Sequence, residues 1–108
     1  MSTAEAPPRI EVVNHREAER YEIRYDSEEA GFAVYRLRLG LIAFIHTEIE
    51  PRFEGRGLGG TLARHALADA RAQGLEVLPF CPFINGFIHE HREYVDLVPD
   101  ANRKAFGL

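Results

Sequence analysis

Apolar and polar residues alternate between Tyr21 and Tyr25 as they do in a half-buried strand, and between Leu58 and Ala70 the spacing lengthens to that of a helix. A short β-branched run predicts a first strand over residues 10–14, with a polar turn at 15–19. Tyr21, Ile23 and Tyr25 then fall opposite Glu22 and Arg24, which predicts a strand over 20–26. The charged stretch 26–31 reads as a loop. Residues 32–37 give a third strand, with Phe32, Val34 and Arg36 facing away from Ala33, Tyr35 and Leu37. The chain should reverse at 38–40, where Gly40 can take a positive φ. Residues 41–46 are nearly all apolar and predict a central strand covered on both faces. Short turns between these strands imply an antiparallel meander.

Leu58, Leu62, Ala66 and Ala70 recur every four residues, flanked by Ala63 and Leu67, and predict an amphipathic helix of about sixteen residues that Gly74 terminates. Residues 75–80 follow as an apolar strand. A strand, a helix and a strand in this order form a right-handed crossover, so the last two strands should be parallel. Pro82 suits a first helical position, and Phe83, Ile84, Phe87 and Ile88 predict a second short helix ending near His91. Beyond it Tyr94, Val95, Leu97 and Val98 should pack down, with 102–108 loose. The chain is thus read as α/β (α+β), with a mixed, mostly antiparallel sheet of about five strands and two main helices. Residues 1–9 form a flexible tail and 10–108 a single domain.

Composition narrows the class. The 108 residues are 45% hydrophobic and 28% charged, as in a folded globular chain. A net charge of −4 offers nucleic acid no bulk attraction. No apolar run is long enough for a bilayer, and residues 1–8 lack the basic start and apolar centre of a signal peptide. A single cysteine excludes an internal disulfide and points to a reducing, cytoplasmic setting.

The densest chemistry lies at 47–62, where an apolar strand passes through Gly55, Gly57, Gly59 and Gly60 into the helix. Free N–H groups at such a helix start suit a phosphate or pyrophosphate. Two glycines in the opening turn cost up to about 1 kcal/mol each relative to alanine, which close approach of a ligand explains better than a turn alone. Arg52 and Arg56 are candidate phosphate partners. There is no Gly-Lys-Ser/Thr of a P-loop and no dinucleotide fingerprint after the first strand.

The run Arg52-Phe-Glu-Gly55-Arg56-Gly57, continued by Leu58-Gly59-Gly60-Thr61-Leu62, resembles the Arg/Gln-x-x-Gly-x-Gly/Ala signature of the GCN5-related N-acetyltransferases, the GNAT superfamily. His46-Thr-Glu-Ile before it and Leu78-Pro-Phe-Cys81-Pro-Phe after it look like the small YjdJ-type single-domain group, and the likeness spans about residues 21–98. The resemblance implies an acetyl-CoA-dependent N-acetyltransferase acting on a primary amine of a small molecule or protein. The pyrophosphate would lie on the glycine turn, and the pantetheine arm between the splayed strands 41–49 and 75–80. The cofactor-binding set so implied is Ile49, Arg52, Gly55, Arg56, Gly57, Leu58, Gly59, Gly60, Pro79, Cys81 and Asn85. The tyrosine acid common in the family falls at Arg92 here, with Tyr94 the nearest substitute.

For catalysis, Glu48 at the end of the central strand is the candidate base that takes a proton from the acceptor amine. Cys81, before a helix that begins at Pro82, either lines the thioester pocket or takes the acetyl group covalently. His46 is a candidate pocket residue. Cys81, His89 and His91, with His46 or His65, do not suggest a metal, because His89 and His91 would point to different sides of a helix and Cys81 is the one soft ligand. The expected partners are acetyl-CoA and an amine acceptor, with no nucleic acid and no membrane, in a monomer or weak homodimer. The alternative is a non-catalytic CoA- or acyl-CoA-binding module, because the chain is short beside a full member of the superfamily and leaves the acceptor side open.

Overall fold

A computed structural model describes residues 6–108, and its strands form one sheet in the order β1-β2-β3-β4-β5. β1 (Ile10–His15), β2 (Arg20–Tyr25), β3 (Glu28–Arg38) and β4 (Leu41–Ile49) make an antiparallel meander. Helix α1 (Leu58–Ala72) crosses over to β5 (Glu76–Pro79), which pairs parallel with β4. After β5 come α2 (Pro82–Glu90), a 3-10 segment at Arg92–Leu97, the short α3 (Asp100–Arg103) and a 3-10 turn at Lys104–Phe106. No helix among the described residues is long and apolar enough to cross a membrane.

The four-residue stripe of α1 packs as its spacing requires: Leu58, Leu62, Ala63, Ala66, Leu67 and Ala70 are all buried. They meet Tyr21, Ile23, Ala33, Tyr35, Ile42, Phe44 and Val77 of the sheet, and Ile84 and Ile88 of α2 join the same core. The buried Tyr21 hydroxyl donates to Asp69 at 2.5 Å, so the helix–sheet contact contains no orphaned phenol. Burial, and then the Asp69 carboxylate, push the Tyr21 phenol upward and keep it protonated as a donor.

Three expectations change. The loop expected over 26–31 shrinks to Asp26 and Ser27, both at positive φ (50° and 75°), the geometry of a two-residue hairpin turn. Glu28 and Glu29 are charged because they lie at the surface end of β3, not because the chain has left the sheet; they pair with Arg52 and Arg20. β4 is not covered on both faces. Ile42 and Phe44 are buried against the helices, but Ile45 is 43% exposed and His46 is exposed. Residues 102–108 are held down: the Phe106 ring stands edge-on to Phe80 at 5.2 Å, and the Asn85 side-chain amide donates to the Phe106 carbonyl at 3.1 Å. Of the expected tail, residues 1–5 lie outside the described part, whereas the Arg9 amide already donates to Asp26 Oδ1 at 2.9 Å.

Two irregularities in β4 position everything that follows. Opposite β3, Val34 pairs with His46 but Tyr35 pairs with Phe44, so Ile45 is an extra residue, a β-bulge. It inverts the alternation. Thr47 and Ile49 join the helix side, and His46 and Glu48 turn to the other face. The second irregularity is the pairing with β5, which runs only from Leu41↔Glu76 to Phe44↔Pro79. The Cys81 amide adds one last bond to the Phe44 carbonyl at 2.8 Å before the chain turns into α2. Past that point β4 continues to Ile49 with no β5 partner.

Gly31 lets β3 follow this end of β4. A methyl group there would sit 2.4 Å from the Glu48 carbonyl oxygen and 2.5 Å from Ile49 Cδ1. Gly31→Ala should therefore destabilise the protein by about 1–3 kcal/mol, read as a lower urea midpoint. A midpoint at or above the parent's would contradict this packing.

Candidate functional site

The end of β4, the turn after it, the start of α1 and Phe83 of α2 enclose a groove of about 400 Å³, within the usual range for ligand pockets. Thr47 and Ile49 form one wall. Phe53 and Glu54 follow, then Gly55, Gly57, Leu58, Gly59 and Gly60, with Phe83 of α2 opposite. Gly55 and Gly57 have φ of 83° and 74°, which a residue with a Cβ adopts only at a cost. Gly57 is the N-cap of α1 and brings no side chain to bond the first amides. A serine or aspartate would occupy those donors, but the glycine leaves them for a ligand. Gly59 makes room for Phe83: a methyl group there would lie 2.8 Å from the tip of that ring, which would have to shift.

Of the expected cofactor residues, Ile49, Gly55, Gly57, Leu58, Gly59 and Gly60 line this groove together. Arg52 and Arg56 stand beside it. Arg52 pairs with Glu28 at 3.1 Å and Glu50 at 3.5 Å, and Arg56 lies over the Tyr25 ring and donates to its hydroxyl at 2.9 Å. Exposed ion pairs such as those of Arg52 contribute about 1 kcal/mol or less, so that guanidinium can turn to a phosphate at small cost. Pro79 is buried in the last β4–β5 pair and does not touch the groove. Asn85 is occupied by the Phe106 carbonyl and does not line it either.

The two expected catalytic residues lie on different sides of the sheet. Cys81 is 1% exposed, and its thiol donates to the Thr47 hydroxyl at 3.2 Å. That contact joins the two strands just where they part, at the inner end of the groove. Glu48 is carried by the bulge to the opposite face. Its carboxylate lies 3.0 Å from His46 Nε2, and both side chains are more than half exposed. The gap between β4 and the chain beyond Pro79 therefore has a groove on one side and a histidine–carboxylate pair on the other. Among the described residues no group of three His, Cys, Asp or Glu side chains is arranged to hold a metal ion.

The groove residues outside the cofactor-binding set implied by the resemblance are Thr47, Phe53, Glu54 and Phe83. Thr47 and Phe83 had usable signals, as the neighbour of Glu48 on an alternating strand and as the residue after the helix-starting Pro82.

Residues 20–97 match the family described as GCN5-related N-acetyl-transferase. The chain belongs to this family, a class of acetyltransferase domains. None of the curated proteins matches it. Among solved structures it is similar to the solution structure of a "GCN5-like putative N-acetyltransferase" from Staphylococcus aureus, with a TM-score of 0.64 at 20% identity, over 82% of this chain and 87% of that one. That likeness is one of fold, which in this chain is a mixed five-stranded sheet with a parallel final pair and flanking helices.

A thiol at 1% exposure should be inert in the native protein. Cys81 is expected to react with a chromogenic disulfide reagent only after denaturation, and rapid labelling of the folded chain would mean that its sulfur opens onto the groove.

Proposed function

We propose that the protein transfers the acetyl group of acetyl-CoA to a primary amine of a small molecule or protein. One observation carries the reading: within the family-matched stretch, a groove runs from uncapped glycine amides to the place where two parallel strands separate. The amides of residues 57–60 would receive the diphosphate, and the partnerless edge of β4 would pair with the amide-bearing pantetheine arm as a neighbouring strand does. The thioester then comes to the inner end of the groove, near Thr47 and Cys81.

The acceptor would enter from the opposite face. Glu48, held by His46, takes the proton that the amine must lose; the nitrogen attacks the thioester carbonyl, the new C–N bond forms, the C–S bond breaks, and the second proton that the nitrogen sheds goes, through water, to the departing CoA thiolate. Transfer is direct. The burial of Cys81 speaks against a covalent role for the thiol. A cytoplasmic setting fits the single unpaired cysteine. A second reading, a CoA-binding module without turnover, draws on the fact that neither Glu48 nor Cys81 lines the groove.

Acetyl-CoA at a hundred times its Kd should stabilise the fold by about 2.7 kcal/mol in a thermal-shift titration. No shift with acetyl-CoA, CoA or longer acyl-CoAs would overturn both readings. With an amine acceptor in hand, Glu48→Gln should lower the transfer rate about 100-fold or more while leaving acetyl-CoA binding intact. An unchanged rate would remove Glu48 from the mechanism.

A further inference from the structure

The two edges of the sheet are built differently. β5 is four residues long, its last residue Pro79 has no N–H, and α2 turns the chain away soon after it. β1 is the other edge, and no strand of the described chain lies beyond it. Its six residues pair with β2 without a register shift, whereas the β2–β3 and β3–β4 pairs each carry one. It contains neither proline nor lysine nor a bulge, the usual guards of an exposed edge. On it Ile10 and Val13 are 41% and 37% exposed.

Two hydrogen bonds fix which way its backbone faces. The Asp26 amide donates to the Arg9 carbonyl at 2.8 Å, and the Tyr35 amide to the Glu19 carbonyl at 2.9 Å. In an antiparallel ladder the facing alternates residue by residue. Glu19, Tyr21 and Ile23 therefore bond toward β3, and Arg20, Glu22 and Arg24 toward their β1 partners His15, Val13 and Glu11. That leaves Ile10, Val12 and Asn14 with their N–H and C=O groups pointing away from the sheet.

We propose that β1 pairs antiparallel with β1 of a second copy, Val13 opposite Val13 about a twofold axis. Such a pair is centred on a residue that opposes itself, and the charges choose which. Centring on Glu11 or on Asn14 would set glutamate against glutamate, Glu11 with itself or with Glu17. Centring on Val12 would set Arg9 against His15. With Val13 at the centre, Val12 and Asn14 exchange the free backbone bonds. Glu11 then faces His15 of the second copy, twice by symmetry, and Arg9 comes abreast of Glu17. The His15 ring spends Nδ1 on Glu22 at 3.3 Å, which leaves Nε2 for the incoming Glu11. A hollow of about 360 Å³ along this strand end, with Val13, His15 and Arg16 in its lining, gives that side chain room. The result is one continuous sheet, five strands from each copy, with both uncovered faces on the same side.

Cross-linking and sedimentation of the 108-residue chain test this pairing. Val13→Cys, oxidised with diamide as acceptor of the two thiol hydrogens, should give a disulfide-linked dimer, because self-opposed residues here stand about 4.5 Å apart. Ile10→Cys lies on the same strand and is about as exposed, but it would sit about 20 Å from its counterpart and should stay monomeric. Cys81 is buried and offers no competing thiol. In sedimentation equilibrium up to about 1 mM, the parent should approach twice its 12.2 kDa, and Val13→Lys should raise the dissociation constant about tenfold or more. That lysine would oppose its own copy yet lie beside Glu22 within the monomer, so the fold accommodates it. A parent that stays at 12.2 kDa throughout, equal cross-linking of the two cysteine variants, or a dimer indifferent to Val13→Lys would overturn the proposal.

Discussion

The site depends on β4 parting from β5 after Phe44. A strand inside a sheet has its backbone donors and acceptors satisfied on both edges; β4 loses one of those partners for its last five residues, Ile45–Ile49. Groups on that edge must bond to water or to something that imitates a strand. The parting is enforced from the β5 side. Pro79 has no N–H to continue the ladder, the Cys81 amide closes it on Phe44, and Pro82 starts a helix that carries the chain away. The thiol contact between Cys81 and Thr47 then fixes how far the two sides stand apart at the root of the gap.

Against this, the start of α1 is built weakly. Gly59 and Gly60 in its first turn forgo up to about 1 kcal/mol each, and Gly57 supplies no capping oxygen. The helix persists because the rest of its stripe is buried, from Leu62 to Ala70. Stability comes from the middle and far end of α1, which frees the near end to present bare backbone. A better-capped helix would be a poorer anion site.

The periodic parts of the molecule were legible in the chain. Tyr21, Ile23, Ala33 and Tyr35 are buried as their alternation requires, and the α1 stripe and the parallel crossover follow from spacing and handedness. The glycine turn was legible because four glycines at a helix start have no cheap structural reason. The bulge was not. Leu-Ile-Ala-Phe-Ile-His reads as one uninterrupted strand, and an inserted residue leaves no mark on composition, yet it decides that Thr47 rather than Glu48 faces the groove. Asn85 was assigned by resemblance alone, and here it meets the Phe106 carbonyl, a contact from distant sequence that no local pattern contains.

The bulge also separates two kinds of selectivity. On the helix side the groove is walled by the apolar side chains of Ile49, Phe53, Leu58 and Phe83, so shape would decide what it holds. The other face is a charged, shallow surface with no helix of the described chain packed on it. There His15 and Arg24 hydrogen-bond Glu22, and Arg20 pairs with the same carboxylate at 3.1 Å, at an angle that makes it an ion pair rather than a hydrogen bond. Burial alone would push the Glu22 carboxyl up, but these partners hold it below its usual value. Arg20 in turn covers the Phe32 ring, which adjoins His46 and so reaches the Glu48 pair. Were an amine acceptor to approach from this face, as proposed, it would meet carboxylates already paired with arginine and histidine. Donor choice and acceptor choice would thus be set by surfaces that share only the gap between β4 and β5, and either could change without disturbing the other.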